Sequence, residues 1–333
     1  MINNQPSVVI MGGGTGTYTL LSALRDKPVH LTALLTMVDD GGSNRILRDE
    51  FGLLPTSGVR QAIVALSKNR SLLRELFMYR FHQGSGIAGM TFGNLFLAAV
   101  ADIVGNQEKA IEQTCKLLSV KGEVLPISFD DVRLVAKYAD GSEVTGEHLI
   151  DEPQHDGRMA IVDMWTTPKA NITSKAKQAI LNADYIIMGP GDFFTNTVPN
   201  LVVAGVCEAI TESKGKLIFI ENLMTKYGDT IGFTAKTFIE KLSHYIPKEN
   251  IDTIIINADF EYPDEVLQKY REEGAEPVRD DLNELSLGSH TTIIRTDILS
   301  HEQEKQQASD VVARSVFRHD HLKLGNVLEK LII

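Results

Sequence analysis

Three short stretches hold residue types that bind anions through the main chain. "GGGTG" occupies positions 12–16, "DDGGS" positions 39–43 and "MGPGD" positions 188–192. In the first, four glycines in five residues separate an apolar run from a resumed helical pattern. Bare backbone at a helix start suits phosphate, because free N–H groups and the helix dipole point outward. A tight strand-to-helix turn would use the same glycines, which reach conformations closed to other residues. The loop is not a strict GxGxxG, since Thr17 or Thr19 stands where the third glycine is needed, and no GK[ST] follows. Asp39 and Asp40 have three uses open to them. A carboxylate at a strand end accepts hydrogen bonds from ribose hydroxyls, an adjacent pair helps hold a hydrated magnesium beside a diphosphate, and such a pair also caps a following helix.

These loops need strands to carry them. Strand-like runs are expected at Ser7–Met11, Leu31–Val38, Val132–Tyr138, Met159–Trp165, Asp184–Met188, Leu217–Ile220, Thr253–Asn257 and Thr292–Arg295, several of them continuously apolar as in parallel strands covered on both faces. Helical patterns lie between them at Tyr18–Arg25, Gly58–Ser67, Asn94–Val104, Glu108–Leu118, Lys175–Asn182, Leu201–Ser213 and Ala235–Leu242. The alternation predicts one α/β domain over 1–333, Rossmann-like and doubly wound, with a mostly parallel sheet. Residues 127–165 break the rhythm: alternation around Asp140–Gly141 predicts a small antiparallel β-hairpin insertion. Residues 319–332 predict a packed terminal helix with Leu324, Leu328 and Leu331 on one face, and "SHEQEKQQASD" (300–310) a polar surface segment. In such sheets ligands sit beyond the strand carboxyl ends, where strand order reverses. Four strand ends finish in polar, glycine-containing turns, which predicts a pocket at that edge.

The helix opening at "GMTFGNLFLAAV" (89–100) is apolar all round and so expected to be buried, with Asn94 either a cap partner or a polar contact reaching the pocket. The net charge of −11 argues against general nucleic-acid binding. Cys115 and Cys207, with no CxxC, read as core thiols of a reducing compartment. Neither a leader nor a membrane-spanning run is evident, so a cytoplasmic location is expected. The histidines show no metal spacing; His319 and His321, around Asp320, read as a polar helix start.

Collectively the motifs resemble the CofD/YvcK-like proteins, which comprise 2-phospho-L-lactate transferases and the gluconeogenesis factors. The resemblance spans residues 7–332 and rests on "GGGTG", "DDGGS", "LPTSGVRQAIVALS" (54–67), "FGNLFLAA" (92–99), "DGSEVTGE" (140–147), "ADYIIMGPGDFFTNTVPNL" (183–201), "NLMTKYGDTIGFTA" (222–235), "EEGAEPV" (272–278) and "RHD" (318–320). "DDGGS" is similar to the YvcK-like branch. The resemblance implies a nucleotide-type ligand such as a UDP-sugar, bound by a regulator of cell shape and central carbon use. The other branch implies magnesium-dependent phospholactyl transfer, with Asp39 and Asp40 on the metal. Positions matching the family's binding motifs are Gly13, Gly14, Thr15, Gly16, Asp39, Asp40, Gly41, Gly42, Ser43, Asn94, Gly189, Pro190, Gly191 and Asn222. Tyr270 and Arg318 fall in stretches resembling the UDP-sugar contacts, where a ring can stack on a base and a guanidinium can pair with phosphate. No catalytic residue is implied. The expected partner is a small nucleotide ligand rather than nucleic acid or membrane, and a homo-oligomer is allowed. The chain departs from the family at "GGSNRILR" (for GGSSGRLR), at Gly58 (for an acidic residue), at Met90 (for histidine) and at Asp192 (for serine). "GGGTGT" also resembles the tubulin-type GTPase signature, but there it lies after several strands and here it follows the first.

Overall fold

The structure, a computed structural model, describes residues 5–68, 72–258, 263–283, 287, 290–300 and 317–333. In chain order the strands are β1 (Ser7–Gly12), β2 (His30–Leu35), β3 (Glu123–Pro126), β4 (Arg133–Tyr138), β5 (Glu143–Thr145), β6 (Ile161–Thr167), β7 (Tyr185–Met188), β8 (Lys216–Ile220), β9 (Ile251–Asn257) and β10 (Thr292–Thr296). The helices are α1 (Gly14–Leu24), α2 (Gly42–Phe51), α3 (Ser57–Leu66), α4 (Leu72–Met78), α5 (Phe92–Val104), α6 (Gln107–Leu117), α7 (Glu147–Asp151), α8 (Ser174–Leu181), α9 (Val198–Leu201), α10 (Val206–Glu212), α11 (Ala235–Leu242), α12 (Asp264–Glu272) and α13 (His321–Ile332). Among the described residues, seven strands form one sheet in the order β10-β9-β8-β7-β1-β2-β3, and every pairing in it is parallel. From β1 the chain builds outward through β2 and β3, then returns to β1's other side at β7. This is the doubly wound order, and it places the switch point between β1 and β7.

Both faces of the sheet are covered, as the continuously apolar strands require. In β1, Val8 and Ile10 enter one core with α1, α3 and α13, while Val9 and Met11 enter the other with α8, α9, α10 and α11. The second core also takes the smaller antiparallel sheet, β5-β4-β6, through Leu134, Ala136, Tyr138 and Met164. Its hairpin turns at Asp140–Gly141, where Gly141 has φ 88° and donates its N–H to the Tyr138 carbonyl at 2.9 Å. The terminal helix α13 starts at Asp320, whose carboxylate accepts from the Leu322 and Lys323 N–H groups, and buries Leu324 and Leu328 fully.

Several boundaries differ from the sequence reading. Helix α1 begins at Gly14, inside the glycine loop, because its first turn is fixed by packing that an apolar period cannot register. The helix expected over Leu201–Ser213 is broken: Gly205 takes φ 93° and separates α9 from α10. Within the expected hairpin insertion, 127–165, the short helix α7 follows β5. Helix α5 is buried on one side only, for Ile103 is 81% exposed. Strand β3 and helices α2, α4, α7 and α12 were not expected; β3 is a four-residue edge strand ending in proline, and the helices are short or polar. Of the polar segment at 300–310, residues 301–310 lie outside the described residues.

Candidate functional site

At the switch point the loops after β1 and β7 touch. A Cβ on Gly16 would lie 1.8 Å from the Pro190 carbonyl oxygen, so only glycine allows this approach. The side-chain amide of Asn222, just past β8, donates to the Gly191 carbonyl at 2.9 Å and ties the third loop to the second. A cleft of 660 Å³ opens above these loops, within the range of small-molecule sites. Its floor is Gly13–Gly16, the first turn of α1, with Pro190 and Gly191 beside it. Asn222, Tyr270 and Arg318 also line it. Gly189, Asp39, Asp40, Gly41, Gly42, Ser43 and Asn94 are absent from the lining.

Asp39 accepts the Gly41 N–H at 3.0 Å, and Asp40 accepts the His148 N–H of α7 at 2.9 Å. The pair therefore does not cap α2, whose N-cap Gly41 has no side-chain cap. Burial, with the charges of Asp40 and Asp151, holds Asp39 above the usual carboxylate range. Burial also pushes Glu147 up to about 9, with Asp39, Asp151 and Asp40 adding to the effect. Among the described residues no group of three or more His, Cys, Asp or Glu side chains is placed to hold a metal ion. Asn94 is fully buried and is a cap partner: its N–H is the group that the Thr91 hydroxyl accepts at the start of α5, while its side chain reaches Arg60 and Ser43.

Further residues of the lining and its surroundings come from helices and loops. Lys226 reaches Asp151 Oδ1 at 2.5 Å and Asp192 Oδ2 at 2.9 Å, joining α7 to the loop after β7. Burial opposes its charge, yet Asp192, Asp151 and Asp229 outweigh burial and raise its pKa. Asp229 accepts the Phe193 and Phe194 N–H groups, each at 3.0 Å, at the start of a π-helical turn, Phe193–Thr197. Burial, then the Asp192 charge, raises Asp229 to about 7 against the pull of Lys226. Arg60, Arg80 and Arg318 supply cationic side chains to the lining. His319 approaches the Glu221 carbonyl at 3.0 Å through Nε2, and burial lowers its pKa to about 4, so it is neutral at pH 7. Tyr270 stacks on Phe317 with ring centroids 5.2 Å apart and planes 11° apart, and its hydroxyl accepts the Phe317 N–H. Of these, Arg60, Asp192 and Lys226 lie in the stretches 54–67, 183–201 and 222–235 on which the resemblance rests, but nothing in residue type or spacing there marked them as lining the cleft.

A doubly wound α/β protein with its cleft at the switch point, floored by a glycine-rich helix start, is the class that fold and geometry define. More particularly, the chain belongs to the family described as 2-phospho-L-lactate transferase CofD, whose model matches residues 8–299. It is 35% identical over 331 residues to the gluconeogenesis factor of Bacillus subtilis, with 99% of each chain covered. It is 37% identical over 306 residues to the gluconeogenesis factor of Halalkalibacterium halodurans, covering 90% of this chain and 94% of that one. A crystal structure of a Bacillus halodurans protein, described as a member of the UPF0052 family, superposes with a TM-score of 0.87. It shares 34% identity, with 98% of this chain and 99% of that one covered.

Proposed function

We propose that this chain is a YvcK-like regulatory protein that binds a UDP-sugar in the switch-point cleft without consuming it, and that its output bears on cell shape and central carbon metabolism. The observation that carries the reading is the contact of the two glycine loops beneath a cleft that also holds arginines and an aromatic pair. The diphosphate would lie against the Gly13–Gly16 N–H groups, where the dipole of α1 favours negative charge. The base would pack on Tyr270, and Arg318 would pair with a phosphate or a carbonyl edge. Loss of one stacking platform or one charged hydrogen bond costs about 1–3 kcal/mol. Tyr270→Ala and Arg318→Ala should therefore each weaken UDP-N-acetylglucosamine binding by roughly tenfold or more. Calorimetry measures this, and wild-type affinity in both variants would remove the two residues from the site.

A second reading, magnesium-dependent transfer of a phospholactyl group, is favoured by the family's description and by the paired carboxylates Asp39 and Asp40. Phosphorus NMR of an overnight mixture with a UDP-sugar or a phospholactyl compound, with and without magnesium, separates the two. Unchanged ligand is expected, and steady release of UDP or a phospholactyl product would overturn the regulator reading.

A further inference from the structure

Asn196 stands apart from its neighbours in the segment after β7. Of residues 193–201 it alone is not buried, and it joins the lining of the cleft. It sits in the π-helical turn Phe193–Thr197, a kind of turn that recurs at functional sites. The main chain of that turn is fixed from several sides. Asp229 accepts the Phe193 and Phe194 N–H groups, and the Asn196 N–H donates to the Asp192 carbonyl at 2.8 Å. The Asn196 carbonyl accepts from Asn200 Nδ2 at 2.7 Å. Phe193 and Phe194 enter the core, while the Asn196 side chain lies against the first glycine loop. Its Oδ1 is 2.4 Å from the place a Cβ on Gly13 would take and 3.3 Å from that on Gly14. A side chain at position 13 would therefore evict the amide from the floor of the cleft.

The polar side chains around Asn196 are engaged in holding the fold. Thr195 Oγ1 donates to Asp151 at 3.0 Å, Asn222 to the Gly191 carbonyl, and Lys226 faces two carboxylates. The Asn196 side chain takes no hydrogen bond among the described residues. A carboxamide carries two donors on nitrogen and an acceptor oxygen, and a phosphate oxygen selects the nitrogen. We infer that Asn196 is a ligand-binding residue whose Nδ2 donates to an oxygen of the phosphate groups lying against Gly13–Gly16. The inference rests on the nucleotide-sugar reading for the identity of the ligand, and on the contacts of Asn196 for the part this residue plays. It gives Gly13 a second use, since the missing side chain makes room for the amide.

The test compares uridine, UMP and UDP as competitors of UDP-N-acetylglucosamine in the wild type, Asn196→Ala and Asn196→Asp, with thermal unfolding of each as a control. Asn196→Asp keeps the shape of the side chain but replaces the donor with a negative charge. In the wild type UDP should compete best. In Asn196→Ala the advantage of UDP over uridine should shrink roughly tenfold, as for one hydrogen bond to a charged group. In Asn196→Asp it should shrink further, while uridine itself changes less than twofold in either variant. Asn196→Ala carries the test alone if Asn196→Asp does not fold. Wild-type ratios in Asn196→Ala, or an equal loss for uridine, UMP and UDP, would overturn the assignment and leave the UDP-sugar reading standing. Inorganic pyrophosphate is the separate probe. A wild type that binds pyrophosphate in an Asn196-dependent manner, but no uridine compound, would overturn the UDP-sugar reading and support the role of Asn196. A wild type that binds neither would overturn both.

Discussion

At the scale of single residues, the cleft depends on missing side chains as much as on those present. Gly16 faces the Pro190 carbonyl across a gap that no Cβ can enter. Gly16→Ala must push the loop after β7 away from α1, a strain of the kind that costs about 1–3 kcal/mol. We expect a lower urea midpoint together with loss of UDP-N-acetylglucosamine binding. Gly58→Ala is the control, since its Cβ would meet nothing nearer than 3.9 Å, and it should lower neither quantity. Equal behaviour of the two variants would show that the loop contact does not hold the site. The thiols illustrate the opposite case: burial raises both Cys115 and Cys207 to about 12, which leaves them inert as nucleophiles.

At the scale of elements, the small antiparallel sheet packs on the main one through its apolar face, and α7, which follows β5, adds carboxylate contacts. Helix α7 brings Glu147 and Asp151 against the loop after β2, where Asp40 accepts the His148 N–H, and Asp151 meets Lys226 from the loop after β8. This packing has a pH signature. Glu147 titrates near 9 when folded, against about 4.5 in an unfolded chain. Between those values the folded protein keeps a proton that the unfolded chain has lost, so stability falls as pH rises through the window. Glu147→Gln removes the penalty. The variant should unfold at a higher temperature than the wild type at pH 8.5, and the difference should close by about pH 3.5, where both states are protonated. A gap that is constant across this range would mean that the carboxyl group is not held protonated by the fold.

For the whole molecule, the cleft is assembled from both halves of the sheet: α1 and α3 on one side of the switch point, and the loops after β7 and β8 with Tyr270 and Arg318 on the other. A ligand that bridges these halves binds the folded chain and not the unfolded one. UDP-N-acetylglucosamine at a hundred times its Kd should therefore stabilise the protein by about 2.7 kcal/mol, read as a rise in Tm. No shift at saturating nucleotide-sugar would argue against the proposed ligand. Among the described residues no helix is long and apolar enough to cross a membrane.

What the amino-acid sequence determined by itself is the part governed by local period and local chemistry. Continuous apolar runs flanked by helical patterns specify a parallel sheet covered on both faces, and Asp140–Gly141 specifies the hairpin that interrupts it. Glycine clusters at strand ends mark where backbone must come close to something. Tertiary structure alone decided what that something is. Gly16 meets Pro190 174 positions away in the chain, and the Asn94 side chain meets Arg60 and Ser43, 34 and 51 positions away. Asp39 and Asp40 turn toward their own loop and α7, although their sequence chemistry suited ribose, magnesium or a helix cap equally. The physical reason is that a side chain's reach is a few ångströms, whereas its partners are chosen by the strand order. That order brings β1 beside β7, and it is a property of the packed sheet rather than of any one segment.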